Sequence, residues 1–182
     1  MTLPQRENYA YHPRYCEENI WWLCQQPDLI HSDVLVIAAT EAECFPILCQ
    51  REANAPDEPL LWDYHVVLLW HASHQAYILD FDTTLPFCTP LERYFEQSFL
   101  AEELLYPEYV PLFRVIKAKD YARDLKSDRR HMKTKKGWLA PPPPWPVISE
   151  SESNLNQLTT MLDQGYGKVL NATALLKTYN HA

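Results

Sequence analysis

The chain has 182 residues, 47% hydrophobic and 22% charged, which suits one globular domain with a core large enough to be stable without disulfides. A formal net charge of −8 argues against nucleic acid as the main partner, and no apolar run approaches the length of a membrane span. Three glycines, fifteen prolines and 13% aromatic residues point to aromatic packing and proline-defined loops. The five cysteines (Cys16, Cys24, Cys44, Cys49 and Cys88) are an odd number without framework spacing, so reduced thiols in a cytoplasmic setting are expected. The opening Met-Thr-Leu-Pro-Gln-Arg-Glu has no signal-peptide pattern.

The first regular element begins at Tyr15. Cys16, Ile20, Leu23 and Cys24 fall on one helical stripe, widened by Trp21, and Pro27 ends the helix by removing a donor. Cys16 is then in the first turn. Asp33 to Thr40 reads as a strand. Cys44 to Gln50 is a candidate partner for it, restricted by Pro46 to an edge or a bulge. A polar, proline-containing loop covers 51–59.

Trp62 to Trp70 begins polar and aromatic and becomes an apolar, β-branched run, the pattern of a buried strand. His65 sits at its open end. Ala76 to Asp82 follows a short polar turn from Ala72 to Gln75, which predicts an antiparallel hairpin. With residues 71 and 76 closing it, residue 65 lies across from 82 and diagonal to 80. Residues 65, 67, 80 and 82 then share one face, because side chains alternate with period two. An imidazole gains a carboxylate neighbour on a rigid sheet, and spacing leaves Asp80 and Asp82 both open as that neighbour.

Leu91 to Leu105 reads as an amphipathic helix, Phe113 to Ala118 as a strand, and Asp120 to Lys126 as a short helix or turn. Ser127 to Trp138 is dense in charge, a solvated loop paired with local acids. Pro141 to Pro144 with Trp145-Pro146 must run in polyproline II geometry, read as a rigid strap that packs down. Asn154 to Leu162 and Asn171 to Tyr179 read as short helices, each opened by a capping Asn. No repeat or composition break divides the chain, so residues 1–182 form one domain.

A thiol attacks as thiolate, and the first turn of a helix lowers its pKa and offers N–H donors for an oxyanion. Cys16 meets that description. A helix followed by His and Asp on later strands is the chain order of papain-like and transglutaminase-like enzymes, with a nucleophile, a base and an orienting carboxylate. Cys44, Cys49, His71 and His74 match no common zinc spacing.

Five segments carry a resemblance: Tyr15-Cys16-Glu17-Glu18-Asn19-Ile20-Trp21, Trp62-Asp63-Tyr64-His65-Val66-Val67-Leu68-Leu69, Asp80-Phe81-Asp82-Thr83-Thr84-Leu85-Pro86-Phe87, Ser127-Asp128-Arg129-Arg130-His131-Met132 and Pro141-Pro142-Pro143-Pro144. In this order they resemble the protein N-terminal glutamine amidohydrolase family. The resemblance implies an α/β (α+β) fold related to the papain and transglutaminase cores, with an antiparallel sheet and the nucleophile at a helix N-terminus. It implies conversion of a protein's N-terminal Gln to Glu with release of ammonia. The family's nucleophile precedes Glu-Glu-Asn, here Cys16; its base is the His of Trp-Asp-Tyr-His, here His65. Its third member is the first Asp of Asp-x-Asp-Thr, here Asp80, and so the resemblance chooses it over Asp82. Cys88 stands where proline is expected and Arg130 where a small residue is; neither is a triad position.

That activity needs no metal or organic cofactor. The expected partners are proteins or peptides with N-terminal Gln, the expected state a monomer, and the expected setting the cytoplasm, with the nucleus added in a eukaryote. An N-terminal Glu made this way would enter an N-degron route once arginylated. A site that rejects internal Gln must read a free α-ammonium, and a buried cation needs a carboxylate or carbonyls around it. Glu18, Asp63 and Asp128 lie inside the matching segments and are candidates. The alternatives are a cysteine peptidase or acyl-transfer enzyme using the same triad, and a non-catalytic peptide-binding module presenting the proline strap.

Overall fold

The structure is a computed structural model describing residues 2–72, 74–162 and 165–179. In chain order its helices and strands are α1 (Cys16–Leu23), β1 (Asp33–Ala39), β2 (Phe45–Ile47), β3 (Leu60–Trp62), β4 (Tyr64–Ala72), β5 (Gln75–Leu79), β6 (Cys88–Pro90), α2 (Leu91–Ser98), β7 (Pro111–Lys117), α3 (Ala118–Asp124), β8 (Lys133–Thr134), β9 (Gly137–Trp138), α4 (Leu155–Thr159), β10 (Lys168–Leu170) and α5 (Ala172–Tyr179). Six strands form one sheet in the order β10-β7-β1-β4-β5-β6, and every neighbouring pair is antiparallel.

Period-two alternation divides the core into two layers. Val34, Val36, Val66 and Leu68 pack with Cys16, Ile20 and Leu23 of α1 and Tyr121 of α3. Leu35, Ile37, Val67 and Leu69 pack with Leu91, Tyr94 and Phe95 of α2 and Leu175 of α5. The central strand β1 is covered on both faces, which explains why Val34 to Ile37 is an unbroken apolar run and not an alternating one. This is a mixed α/β arrangement around a large antiparallel sheet.

The hairpin register follows the expected one from Ala72 opposite Gln75 to Leu68 opposite Leu79; Ser73, in its turn, lies outside the described residues. The ladder stops there, so residue 82 does not pair with residue 65. After Leu79 the Asp80 N–H donates to the Phe87 carbonyl and the Asp82 N–H to the Asp80 carboxylate, and the chain turns away.

Three other expectations are corrected. The stretch 44–50 pairs through β2 with β3 and not with β1, since both neighbours of β1 are already β4 and β7. The helix expected over 91–105 ends at Ser98. Phe99 turns extended and inserts between Phe95 and Phe113, while the Ser98 carbonyl accepts from Leu48 N–H. Asn154 does not cap α4 with its side chain; its Oδ1 accepts from the Lys126 N–H instead. Asn171 does cap α5, accepting from the Ala174 N–H at 2.8 Å.

A candidate active site where the two core layers meet

Arg14 opens the site. It adopts a left-handed φ of 65°, uncommon for a residue with a Cβ, and this turns the chain into α1. Cys16 therefore starts the helix, packed against β4 with 4% of its surface exposed. A main-chain hydrogen bond from Val66 reaches its sulfur, and Glu17 Oε2 lies 3.8 Å from Sγ. The thiol does not show the lowered pKa expected of a helix start. Burial first, and the Glu17 carboxylate second, push it well up.

His65 is fully buried at the head of β4, one residue before the Val66 that bonds the sulfur. Its ring stacks on Trp62, and its Nε2 lies 3.0 Å from Asp80 Oδ1. Nδ1 is buried with no hydrogen-bond partner. Asp80 is fixed from two further sides: Oδ1 accepts the Asp82 N–H, and Oδ2 accepts the Tyr94 hydroxyl at 2.8 Å. Burial works to lower the His65 pKa, yet the charge and hydrogen bond of Asp80 leave it raised. Burial works to raise Asp80, and the same partnership with His65 holds it lowered. The carboxylate is thus set to support the positive charge that the ring gains on taking a proton.

Asp82 takes a different part. Its Oδ1 accepts the Tyr11 hydroxyl at 2.8 Å, and Tyr11 stacks on Phe81, so the N-terminal segment packs against the back of the site. Burial pushes Asp82 up to about 6, opposed by His65 and reinforced by Asp80. Among the described residues, His65, Asp80 and Asp82 are the group whose ligand atoms lie close enough, within 4.8 Å, to grip a metal. Both Asp80 oxygens are already taken, by His65, the Asp82 N–H and Tyr94, and Asp82 Oδ1 is taken by Tyr11. Cys44, Cys49, His71 and His74 form no such group there.

Cys16 opens into a cavity of about 340 Å³, lined also by Trp62, Asp63, Tyr64, His131 and the Arg14–Glu52 ion pair. That volume is within the usual range for small-ligand sites. The three candidate amine readers separate here. Asp63 is exposed on the cavity wall, with its Oδ1 accepting the Tyr64 N–H. Glu18 is fully buried; Arg129 binds both its oxygens at 2.7 and 2.8 Å, and the Trp145 indole N–H donates to it as well. Asp128 is held by Arg130, whose N–H and guanidinium reach it at 2.6 to 3.0 Å. Neither Glu18 nor Asp128 lines the cavity. Of the basic cluster, Arg130 pairs with its neighbour Asp128 as expected, whereas Arg129 is not solvated but buried on Glu18, distant in sequence.

Trp21 and Trp22 face away from the cavity: Trp21 donates to the Ala122 carbonyl, and Trp22 packs edge-on against Trp145. Sequence reasoning missed Glu17, Tyr64 and His131. The Tyr64 hydroxyl lies 3.0 Å from Glu17 Oε2, and His131 Nε2 lies 3.2 Å from Glu17 Oε1. The signal for Glu17 was its place beside Cys16, but a first-turn acid has an ordinary explanation in the helix dipole.

A family model for N-terminal glutamine amidase matches residues 11–179 of this chain. A Bos taurus protein N-terminal glutamine amidohydrolase is 40% identical over 178 residues, covering 91% of this chain and 84% of that protein. The Homo sapiens protein of the same name is 40% identical over 178 residues, covering 91% and 85%. The Danio rerio protein of that name is 37% identical over 187 residues, covering 97% and 92%. On that breadth of match, the chain belongs to the N-terminal glutamine amidase family.

Proposed function

We propose that this protein hydrolyses the side-chain amide of an N-terminal glutamine, giving glutamate and ammonia through a thioester on Cys16. One observation carries the reading: a buried His65–Asp80 pair, with its other ring nitrogen unpartnered, stacks on Trp62 and follows Tyr64, both of which line the cavity with Cys16. The buried thiol is neutral at rest, so His65 takes its proton as sulfur attacks the carboxamide carbon. The imidazolium returns that proton to the departing nitrogen, and ammonia leaves as the tetrahedral intermediate collapses to a thioester. His65 then removes a proton from water; hydroxide attacks the thioester, and glutamate leaves with the thiol restored. Asp80 orients the ring and supports its charge. Asp63 is the reader of the α-ammonium, being the one of the three candidates that lines the cavity.

The remaining assignments rest on the same family membership and the same order of elements. The core is papain-like and transglutaminase-like, with residues 1–182 as one domain. The enzyme acts as a cytoplasmic monomer and feeds an N-degron route; no helix among the described residues is long and apolar enough to cross a membrane. The test is mass spectrometry of a Gln-initiated peptide incubated with the protein. A gain of ~1 Da without chain scission is the expected result of side-chain amide hydrolysis through a covalent intermediate, and it should vanish in Cys16→Ala. Scission of the peptide bond would mark a cysteine peptidase instead.

A further inference from the structure

We propose that Glu17 is a positioning residue of this site, whose charge couples the Cys16 thiol to the free α-ammonium of the substrate. The inference rests on Cys16 as nucleophile.

Glu17 is fully buried directly after Cys16. Glu18 beside it faces a fixed cation, Arg129. The polar atoms on the Glu17 carboxylate are of another kind: the Cys16 thiol at 3.8 Å, the Tyr64 hydroxyl at 3.0 Å and His131 Nε2 at 3.2 Å. The Tyr64 hydroxyl and His131 Nε2 also lie 3.2 Å apart. Tyr64 and His131 thus stand between Glu17 and the cavity, and with Asp63 they form its wall. His131 Nδ1 is buried and has no hydrogen-bond partner.

A negative charge this near a sulfur opposes a second one, more strongly in a water-excluded site than at a surface. At rest burial and, after it, Glu17 keep Cys16 protonated, with Asp82 and Asp63 adding in the same direction. The other charged or titratable groups around the pair are Tyr15, Tyr121, which bonds the Glu17 carbonyl oxygen, Arg129, already held by Glu18, and Arg14, held by Glu52. An α-ammonium reaching the wall donates to the Asp63 carboxylate, next to Tyr64 and His131, the residues that lie against Glu17. Its positive charge offsets that of Glu17, and the thiol can then pass its proton to His65. An internal or acetylated glutamine brings no such charge and meets a nucleophile that stays a thiol. Discrimination then falls on kcat more than on KM.

The experiment measures the pH dependence of Cys16 alkylation by iodoacetamide, read at the Cys16 peptide by mass spectrometry, in the wild type and Glu17→Gln. The expected result is a midpoint lower by about one pH unit or more in the variant, an effect of roughly tenfold in rate near neutral pH. The kcat/KM ratio of a Gln-initiated peptide to its N-acetylated form is expected to shrink by a similar factor. An unchanged midpoint overturns the proposal, and so does a lowered midpoint with an unchanged ratio. If Glu17→Gln does not fold, Tyr64→Phe serves. It removes a donor from Glu17 and leaves the charge, so the midpoint must rise; a midpoint at the wild-type value overturns the proposal. A Cys16→Ser variant that deamidates at the wild-type rate would instead sink the nucleophile assignment, and this inference with it.

Discussion

Nε2 of His65 lies 3.0 Å from Oδ1 of Asp80, with both side chains out of reach of solvent. Because Asp80 also accepts from Tyr94 and from the Asp82 N–H, the carboxylate has little freedom to follow another ring orientation. The tautomer of His65 is therefore set by one neighbour.

Asp80→Asn tests that dependence. An amide can donate where the carboxylate accepts, so it can hold the wrong tautomer and cannot support an imidazolium. Ammonia release from a Gln-initiated peptide is expected to fall by about 10² to 10⁴ in kcat, with the lower bound set by an ordinary general-base loss. A variant within threefold of wild type would remove Asp80 from the mechanism.

Asp82 gives a stability signature with a defined sign. Its folded pKa of about 6 lies above the usual carboxylate value, so between roughly pH 4 and pH 6 the folded chain holds a proton that the unfolded chain releases. Its contribution is fully present below that window and lost as pH rises through it. Asp82→Asn lacks this loss. Urea titrations at pH 4 and pH 7.5 should show the variant gaining on wild type by about 1–3 kcal/mol at the higher pH, the full shift being an upper limit.

The Glu18–Arg129 pair carries structural weight instead of substrate contact. Arg129 is 5% exposed and in a left-handed conformation, φ 60°, which its neighbours must hold in place. Glu18→Ala strands that guanidinium and should cost about 3–5 kcal/mol in chemical denaturation. Replacing both partners with apolar residues of similar volume should recover most of the loss. A single variant as costly as predicted, with a double variant costing the full sum, would show the pair to be uncoupled.

Gly167 leads into β10 with φ +66°, and a Cβ there would meet the Val115 carbonyl oxygen at 2.5 Å. Gly167→Ala should destabilise the chain by about 1–3 kcal/mol and loosen β10 first. Hydrogen exchange should show early loss of protection at Val169 and Leu170, while β1 and β4 stay protected.

The parts of this fold that were legible in the sequence are those with strong periodicity. The stripe on α1, the double-sided burial of β1 and the register of the β4–β5 hairpin all follow from where apolar residues fall. Short elements were not legible. β2, β6 and β10 span three residues each, too few for a pattern to repeat. The end of α2 was misplaced because Phe99 fits the helical stripe as well as it fits the aromatic cluster that claims it. At the site, side-chain types and family resemblance pointed to Cys16, His65 and Asp80. The depth of Glu18 did not show, because its partner lies more than a hundred residues away in sequence.

The proline strap has one more consequence. Proline lacks an N–H, so a run of prolines can offer a neighbour only carbonyls and ring faces. Here the carbonyls are taken up by neighbours: that of Ala140 accepts the Tyr15 hydroxyl, that of Pro141 meets the His12 ring, and those of Trp145 and Pro146 meet Arg129. All of these anchors lie on the segment that delivers the sulfur or on its buried cation. Peeling the strap away would therefore release the reactive helix at the same moment. Heating should extinguish turnover and alter Trp145 fluorescence along one shared curve.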